Sequence, residues 1–242
     1  MANIREIFSS VQGEGKYAGY RQVFVRFAGC NLHCNFCDTQ TSLSPATMVK
    51  IEKTPGRRDF NFTSGPLENE LIIFHINQML SKFPHQAVSF TGGEPLLQAK
   101  DLLTIAAKIN GPAMLETNGT LPAALAEILP VIDIISMDIK LPSECSQEHW
   151  DQHREFLKIA QTKDLYVKVV ITGQTTPAEF SQAVKLVSIV NKYIPFIIQP
   201  VTPINNVLPV SPENILHFQE TAAAELPDVR VLPQLHNLIG LL

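Results

Sequence analysis

Six runs of β-branched and apolar residues, separated by segments of helical periodicity, constrain this chain more than any other feature. The runs are Gln22–Gly29, Gln86–Pro95, Ala113–Gly119, Val131–Lys140, Leu165–Gly173 and Phe196–Pro203. Several are apolar on successive residues, as strands covered on both faces tend to be. Between them, Leu67–Phe83 carries an apolar face built from Leu71, Ile72, Met79, Leu80 and Phe83. Thr176-Pro177-Ala178-Glu179 is a capping box with proline at the first helical position, followed by a stripe of Phe180, Ala183, Val184 and Val187. Ser211-Pro212 opens a further helix in the same way. Strands alternating with helices predict an α/β fold whose parallel strands are joined by right-handed crossovers. Six units are too few for an eight-unit barrel, so a partial barrel and an open doubly wound sheet both satisfy the pattern.

Two segments depart from the alternation. Ser9–Tyr20, SSVQGEGKYAGY, is polar and glycine-rich and precedes the first expected strand. Residues 42–66 are far longer than the two to six residues usual for a βα loop and are expected as a loop insertion. The net charge of -4 gives no electrostatic footprint for nucleic acid. No apolar run approaches eighteen residues, which predicts no membrane span. The start, MANIREIFSS, lacks the basic-then-apolar layout of a signal peptide, so a cytoplasmic setting is expected. Thiols stay reduced there, and clustered cysteines then point to a metal or to catalysis.

Three of the four cysteines, Cys30, Cys34 and Cys37, lie within eight residues as C-x3-C-x2-C, directly after the first expected strand. That puts them in a βα loop at the C-terminal edge of the sheet, where α/β folds hold ligands. Zinc is one reading, with His33 as the fourth ligand, although four ligands in eight residues are cramped for a tetrahedral site. An iron–sulfur cubane suits the spacing better, because its irons occupy separate corners that a short loop can wrap. Three thiolates leave one iron open for a substrate or cofactor.

The C-x3-C-x2-C loop resembles that of the radical S-adenosylmethionine enzymes. The resemblance implies a partial (β/α)6 barrel over 1–242, a [4Fe-4S] cluster on the three cysteines, and S-adenosylmethionine chelating the open iron. One electron then cleaves the cofactor to a 5′-deoxyadenosyl radical that abstracts substrate hydrogen. Thr91–Pro95, TGGEP, is similar to the family's GGEP motif, which implicates Gly93 and Glu94 at the methionine amine. By the same resemblance Phe36 and Asp38 in the cluster loop, Ser136, Asp138 and Lys140 in SMDIK, and Gln199 and Pro200 in IQPV contact the cofactor.

The opening segment IFSSVQGEGKYAGYRQVFVRFAGCNLHCNFCDT and the ending RVLPQLHNLIGLL resemble the 7-carboxy-7-deazaguanine synthase family. That family contracts 6-carboxy-5,6,7,8-tetrahydropterin to 7-carboxy-7-deazaguanine, in queuosine and 7-deazapurine biosynthesis, and also uses Mg²⁺. The likeness implies that Val11, Gln12, Gly13 and Glu14 meet the guanine-like edge of the pterin. Arg26 takes its carboxylate, as a planar fork suits. Thr91 and His236 complete the pocket, Thr39 ligates Mg²⁺, and the tail over 228–242 closes the site. A flavodoxin or ferredoxin donor and a homodimer are implied as well. Singly, each residue has a structural reading too: Arg26 as a salt bridge, Glu14 as an exposed loop acid, Thr39 as a turn cap, His236 as structural, Cys145 as a spare thiol. A glycyl-radical-enzyme activating enzyme, which would act on a protein partner, shares the cluster loop and stays open at this point. So does a non-enzymatic metal-binding or electron-transfer module.

Overall fold

The computed structural model describes residues 1–203 and 207–241. Ten strands form one sheet: β1 Ile4–Val11, β2 Arg21–Phe27, β3 Met48–Glu52, β4 Phe60–Ser64, β5 Val88–Gly92, β6 Ala113–Thr117, β7 Ile134–Asp138, β8 Asp164–Ile171, β9 Phe196–Pro200 and β10 Val229–Val231. Their order is β10-β9-β8-β7-β6-β5-β2-β1-β3-β4. All six expected runs are strands, and β2 and β5 to β9 are mutually parallel neighbours. Their order never reverses, so there is no switch point of the doubly wound kind. Crossovers of one hand and one direction place the helices on one face and leave the other concave. The ends of the sheet do not pair, which makes it a partial barrel.

The helices are α1 Asn69–Lys82, α2 Ala99–Ala106, α3 Pro122–Ile128, α4 Pro142–Cys145, α5 Trp150–Ala160, α6 Pro177–Asn191, α7 Pro212–Ala223 and α8 Leu235–Leu238. At α6 the Thr176 hydroxyl accepts from Glu179 N–H and the Glu179 carboxylate accepts from Thr176 N–H. The stripe of Phe180, Ala183, Val184 and Val187 is buried, as its spacing requires. Ser211 caps α7. In α1 the face is rotated from the expected one. Ile72, Ile73, Ile76 and Met79 are buried while Leu71 and Phe83 are exposed. The true stripe is the set at spacings of three and four around Ile76, and Leu71 and Phe83 fall off its edges.

The two segments outside the alternation are structured. The first supplies the end of β1, which pairs antiparallel with β2. Residues 42–66, expected as a loop insertion, instead hold β3 and β4, an antiparallel pair that adds to β1 and extends the sheet. Val49 and Ile51 point one way into the core while Met48 and Lys50 point the other way, exposed at the rim of the cavity, a period of two too short to stand out in a polar sequence.

Buried residues divide by face. Val88, Phe90, Leu115, Ile135, Met137, Val167, Val169, Phe196 and Ile198 pack against the helices in the main core. The alternate residues of the same strands face the concave side. Low in that concavity Ala87, Met114, Ile134, Tyr166 and Ile197 form a second apolar cluster. Above it the inward positions turn polar, at Thr91, Glu116, Ser136, Asp138, Lys168 and Gln199. The apolar cluster is a floor and the polar positions line a cavity over it.

Candidate active site

The cavity has a volume of about 1190 Å³, more than the 300–1,000 Å³ typical of one small-ligand site. It opens at the C-terminal ends of the parallel strands. Cys30, Cys34 and Cys37 are all free, half-buried and on its wall. Hydrogen bonds shape their loop: Leu32 N–H donates to Cys30 Sγ at 3.4 Å, Cys37 N–H to the Cys34 carbonyl at 3.2 Å, and Asn35 N–H to the Glu144 carbonyl at 3.0 Å. Burial raises the Cys30 thiol and pushes Cys34 up to about 11, so these are protonated thiols until a metal displaces their protons. Among the described residues the three sulfurs do not all lie within 4.8 Å of one another, a spread that suits the separate corners of a cubane better than one tetrahedral ion. A donor set of three cysteines fits a cluster with one iron left open.

The glycine pair under this loop has a steric cause. Gly92 has φ +114°, and a Cβ there would meet Phe27 O at 2.3 Å. A Cβ on Gly93 would meet Gly29 O at 2.0 Å. Strand β5 thus passes too close beneath the start of the cluster loop for any side chain. Glu94 differs from its expected place. Its carboxylate is fully buried off the cavity wall, accepting from Asn118 N–H at 2.8 Å, Thr117 Oγ1 at 2.9 Å and Leu96 N–H at 3.1 Å. Burial pushes it up to about 7. Glu94 therefore braces the end of β6, and it is the backbone of Gly92 and Gly93 that lines the cavity. Pro200 also lies off the wall, next to Gln199, which is on it.

Ser136 and Asp138 face the cavity from β7, Lys140 from just past its end and Gln199 from β9, and Phe36 of the cluster loop lines it too. The Lys140 ammonium donates to Asp138 Oδ2 at 2.7 Å and sits 4.9 Å from the Phe36 ring centre. Asp138 Oδ1 and Gln199 Oε1 are buried and have no partner among the described residues. Two orphaned acceptors on one wall fit a ligand rich in donors, such as a ribose and an amine.

The opposite wall carries the glycine-rich segment. The Gln12 side chain donates to Gln22 Oε1 at 3.0 Å and Glu116 Oε1 at 2.8 Å, and accepts from Glu14 N–H at 3.0 Å. Its amide is therefore engaged within the protein and fixes its neighbours. Val11, Gly13, Glu14, Thr91 and His236 line the cavity, and Thr91 Oγ1 donates to Glu116 Oε2 at 3.1 Å. Glu14 is not the exposed acid of the structural reading. Burial, the largest single influence, would raise its carboxyl, but Lys168, Gln234 and His236 together outweigh burial and lower it to about 2. Arg26 does form the salt bridge of its structural reading. Its Nε donates to Glu6 Oε1 at 2.7 Å, which leaves both terminal nitrogens of the fork for the cavity. Thr39 lines the cavity, with its hydroxyl 3.9 Å from Cys37 Sγ. Cys145 is buried, its thiol 3.3 Å from the Leu141 carbonyl.

The tail returns to this wall. Leu235 N–H donates to the Gly13 carbonyl at 2.8 Å, and Gln234 Nε2 donates to Glu14 at 2.7 Å and to Asp38 at 3.0 Å. Ligand atoms of Glu14, Asp38 and His236 lie within 4.8 Å of one another. Lys168 already neutralises Glu14 there, which suits that end to a ring with donor and acceptor edges. The C-terminal carboxylate of Leu242 lies outside the described residues.

Three site residues escaped sequence reading: Glu116, Lys168 and Gln234. Glu116 and Lys168 each had a signal, a single charge inside an otherwise apolar strand, since such strands bury a charge only where it has a partner or a task. Gln234 had only its place two residues before His236.

Residues 24–198 match the Radical SAM superfamily. The chain is 42% identical to a 7-carboxy-7-deazaguanine synthase of Geobacter sulfurreducens, over 99% of this chain and 97% of the relative. It is 37% identical to the synthase of that name from Methanocaldococcus jannaschii, over 99% of this chain and all of the relative. The crystal structure of QueE from Escherichia coli superposes with a TM-score of 0.61 at 19% identity, covering 97% of this chain and 94% of that one, a likeness of fold. With the cysteine loop, the partial barrel and full-length likeness in agreement, the chain belongs to the radical SAM superfamily and, within it, to the 7-carboxy-7-deazaguanine synthase family.

Proposed function

We propose that this protein is a lyase that converts 6-carboxy-5,6,7,8-tetrahydropterin to 7-carboxy-7-deazaguanine, and that it does so in the large cavity. The observation that carries this reading is that one cavity joins the three-cysteine loop, a wall with orphaned acceptors, and a second wall with an acid, a histidine and an arginine fork. Substrate and product differ by one ammonia, so the conversion consumes no net oxidant or reductant. When bound, the [4Fe-4S] cluster and S-adenosylmethionine supply a carbon radical that takes a hydrogen atom from the substrate.

The protein's own groups bind and orient. Ser136, Asp138, Lys140 and Gln199 hold the nucleoside, with Phe36 and Asp38 beside the methionine end and the Gly92–Gly93 backbone beneath it. Glu14 accepts from the guanidine-like edge of the pterin, with Thr91, His236 and the backbone of Val11 and Gly13 around the ring. Arg26, steadied by Glu6, offers two nitrogens to the ring carboxylate, the bidentate match that arginine makes best. Thr39 and the substrate's oxygens bind Mg²⁺, a hard cation that prefers oxygen donors. Gln234 and Leu235 anchor the tail over the ring so that it excludes water.

We assign all of 1–242 to one domain, with a flavodoxin or ferredoxin as electron donor and a homodimer as the assembly. No helix among the described residues is long and apolar enough to cross a membrane. The free cysteines are in keeping with a reducing, cytoplasmic setting.

The test is an anaerobic reaction of the reconstituted protein with S-adenosylmethionine, Mg²⁺, reductant and the pterin, followed by mass spectrometry. The deazaguanine carboxylate and one ammonia per turnover are expected. Cofactor cleavage with the pterin left intact would refute the substrate while leaving the radical chemistry.

A further inference from the structure

Lys168 bridges the two walls. It lies mid-strand in β8 and is buried on the cavity wall, just above the apolar floor. Its ammonium is bonded to the Glu14 carboxylate and lies 3.4 Å from Asp138 Oδ2. Asp138 Oδ2 also holds Lys140, and Glu14 Oε1 also holds Gln234. Gln234 in turn reaches Asp38, next to the cluster cysteine Cys37. A continuous polar chain therefore runs from the cluster loop through the tail and the glycine-rich segment to the nucleoside wall, and Lys168 carries it from Glu14 to Asp138.

We propose that Lys168 is a positioning residue that fixes the spacing between the pterin-binding acid Glu14 and the nucleoside-binding acid Asp138. This rests on the function proposed above. One ammonium shared by two carboxylates cannot move toward one without leaving the other, so what either acid binds is felt by the other. Lys168 and Lys140 together balance the charge of the two acids, which leaves the acids' remaining lone pairs for ligands, and Asp138 Oδ1 has no partner among the described residues. The ring is thereby held at the reach of the radical carbon, where a displacement of about 1 Å is expected to cost on the order of a hundredfold in the chemical step. Lys168 touches neither reacting centre; it acts through the two acids.

Two measurements on the anaerobically reconstituted full-length holoenzyme test this. The first is calorimetric affinity for S-adenosylmethionine across the cycle of wild type, Glu14→Gln, Lys168→Met and the double variant, without pterin. Glu14→Gln is expected to change that affinity at least about threefold when Lys168 is present and not in the Lys168→Met background. The double variant removes a charge of each sign and leaves neither partner of the pair unmatched, so it is expected to fold even if Lys168→Met alone does not. Glu14→Gln and the double variant then differ only by Lys168. The second is the ratio of 5′-deoxyadenosine released to deazaguanine formed. It should rise roughly tenfold in Lys168→Arg, which keeps the charge but shifts its position. A purely structural lysine would lower both products together. An unchanged cofactor affinity in Glu14→Gln, or a wild-type ratio in folded, iron-loaded Lys168→Arg, overturns the proposal. If the wild type makes no deazaguanine, the function reading fails, and the affinity cycle still decides on Lys168.

Discussion

Acidification should loosen this protein through one histidine that touches no ligand. His153 on α5 is completely buried. Its Nε2 lies 3.1 Å from the Asn118 carbonyl, an oxygen that can only accept, so the neutral ring carries its proton on Nε2. Nδ1 is buried without a partner among the described residues, and a second proton there meets no acceptor among them. Burial accordingly depresses this imidazole from 6.5 to about 4. A base whose folded value is depressed binds more protons unfolded, so stability is complete above pH 6.5 and falls as the pH drops toward 4. The gap, at about 1.4 kcal/mol per pH unit, amounts to about 3 kcal/mol. Asn118 joins His153 to the site: its N–H holds Glu94 and its side chain donates to Asn31 of the cluster loop at 2.9 Å. Urea unfolding of wild type and His153→Gln between pH 7 and pH 4 measures the effect, because the difference between the two curves cancels every other titrating group. The wild type should lose about 3 kcal/mol relative to the variant across that window. Parallel pH profiles would refute the reasoning.

Arg26→Lys replaces a fork held by Glu6 with a point charge; KM for the pterin should rise roughly tenfold to a hundredfold with iron content unchanged, as read by steady-state kinetics. A Cβ on Gly13 would lie 1.8 Å from His236 Nδ1, so Gly13→Ala should expel the histidine and loosen the tail, seen as faster amide exchange at Leu235 and a higher KM. Cys30→Ala should lose the cluster's visible absorption and all turnover, whereas Cys145→Ala, whose thiol bonds only to backbone carbonyls, should keep its iron.

How much of this was legible beforehand varies with the reach of the signal. The strands of the barrel and the capping box of α6 were readable because each is written in contiguous residues, and the cysteine loop because its chemistry lies within eight positions. The hairpin of β3 and β4 was not, since its strands are short, polar on one side, and held by pairing with β1 from forty residues away. Glu94 was read from its motif as a ligand group, yet it faces Asn118 on the next strand, a direction set by how the β5 and β6 ends meet.

By itself the sequence determined the class of fold, the three-thiolate loop and the family, all of which depend on local order along the chain. Which way each strand turns its alternate residues was a decision of tertiary structure. The outer face is apolar because helices cover it, and so the inner face alone was free to carry Glu116, Asp138 and Lys168. Buried charges at those places are stable only beside one another. Lys168 and Glu14 are separated by over a hundred and fifty residues, and only the curl of the sheet brings that ammonium to that carboxylate.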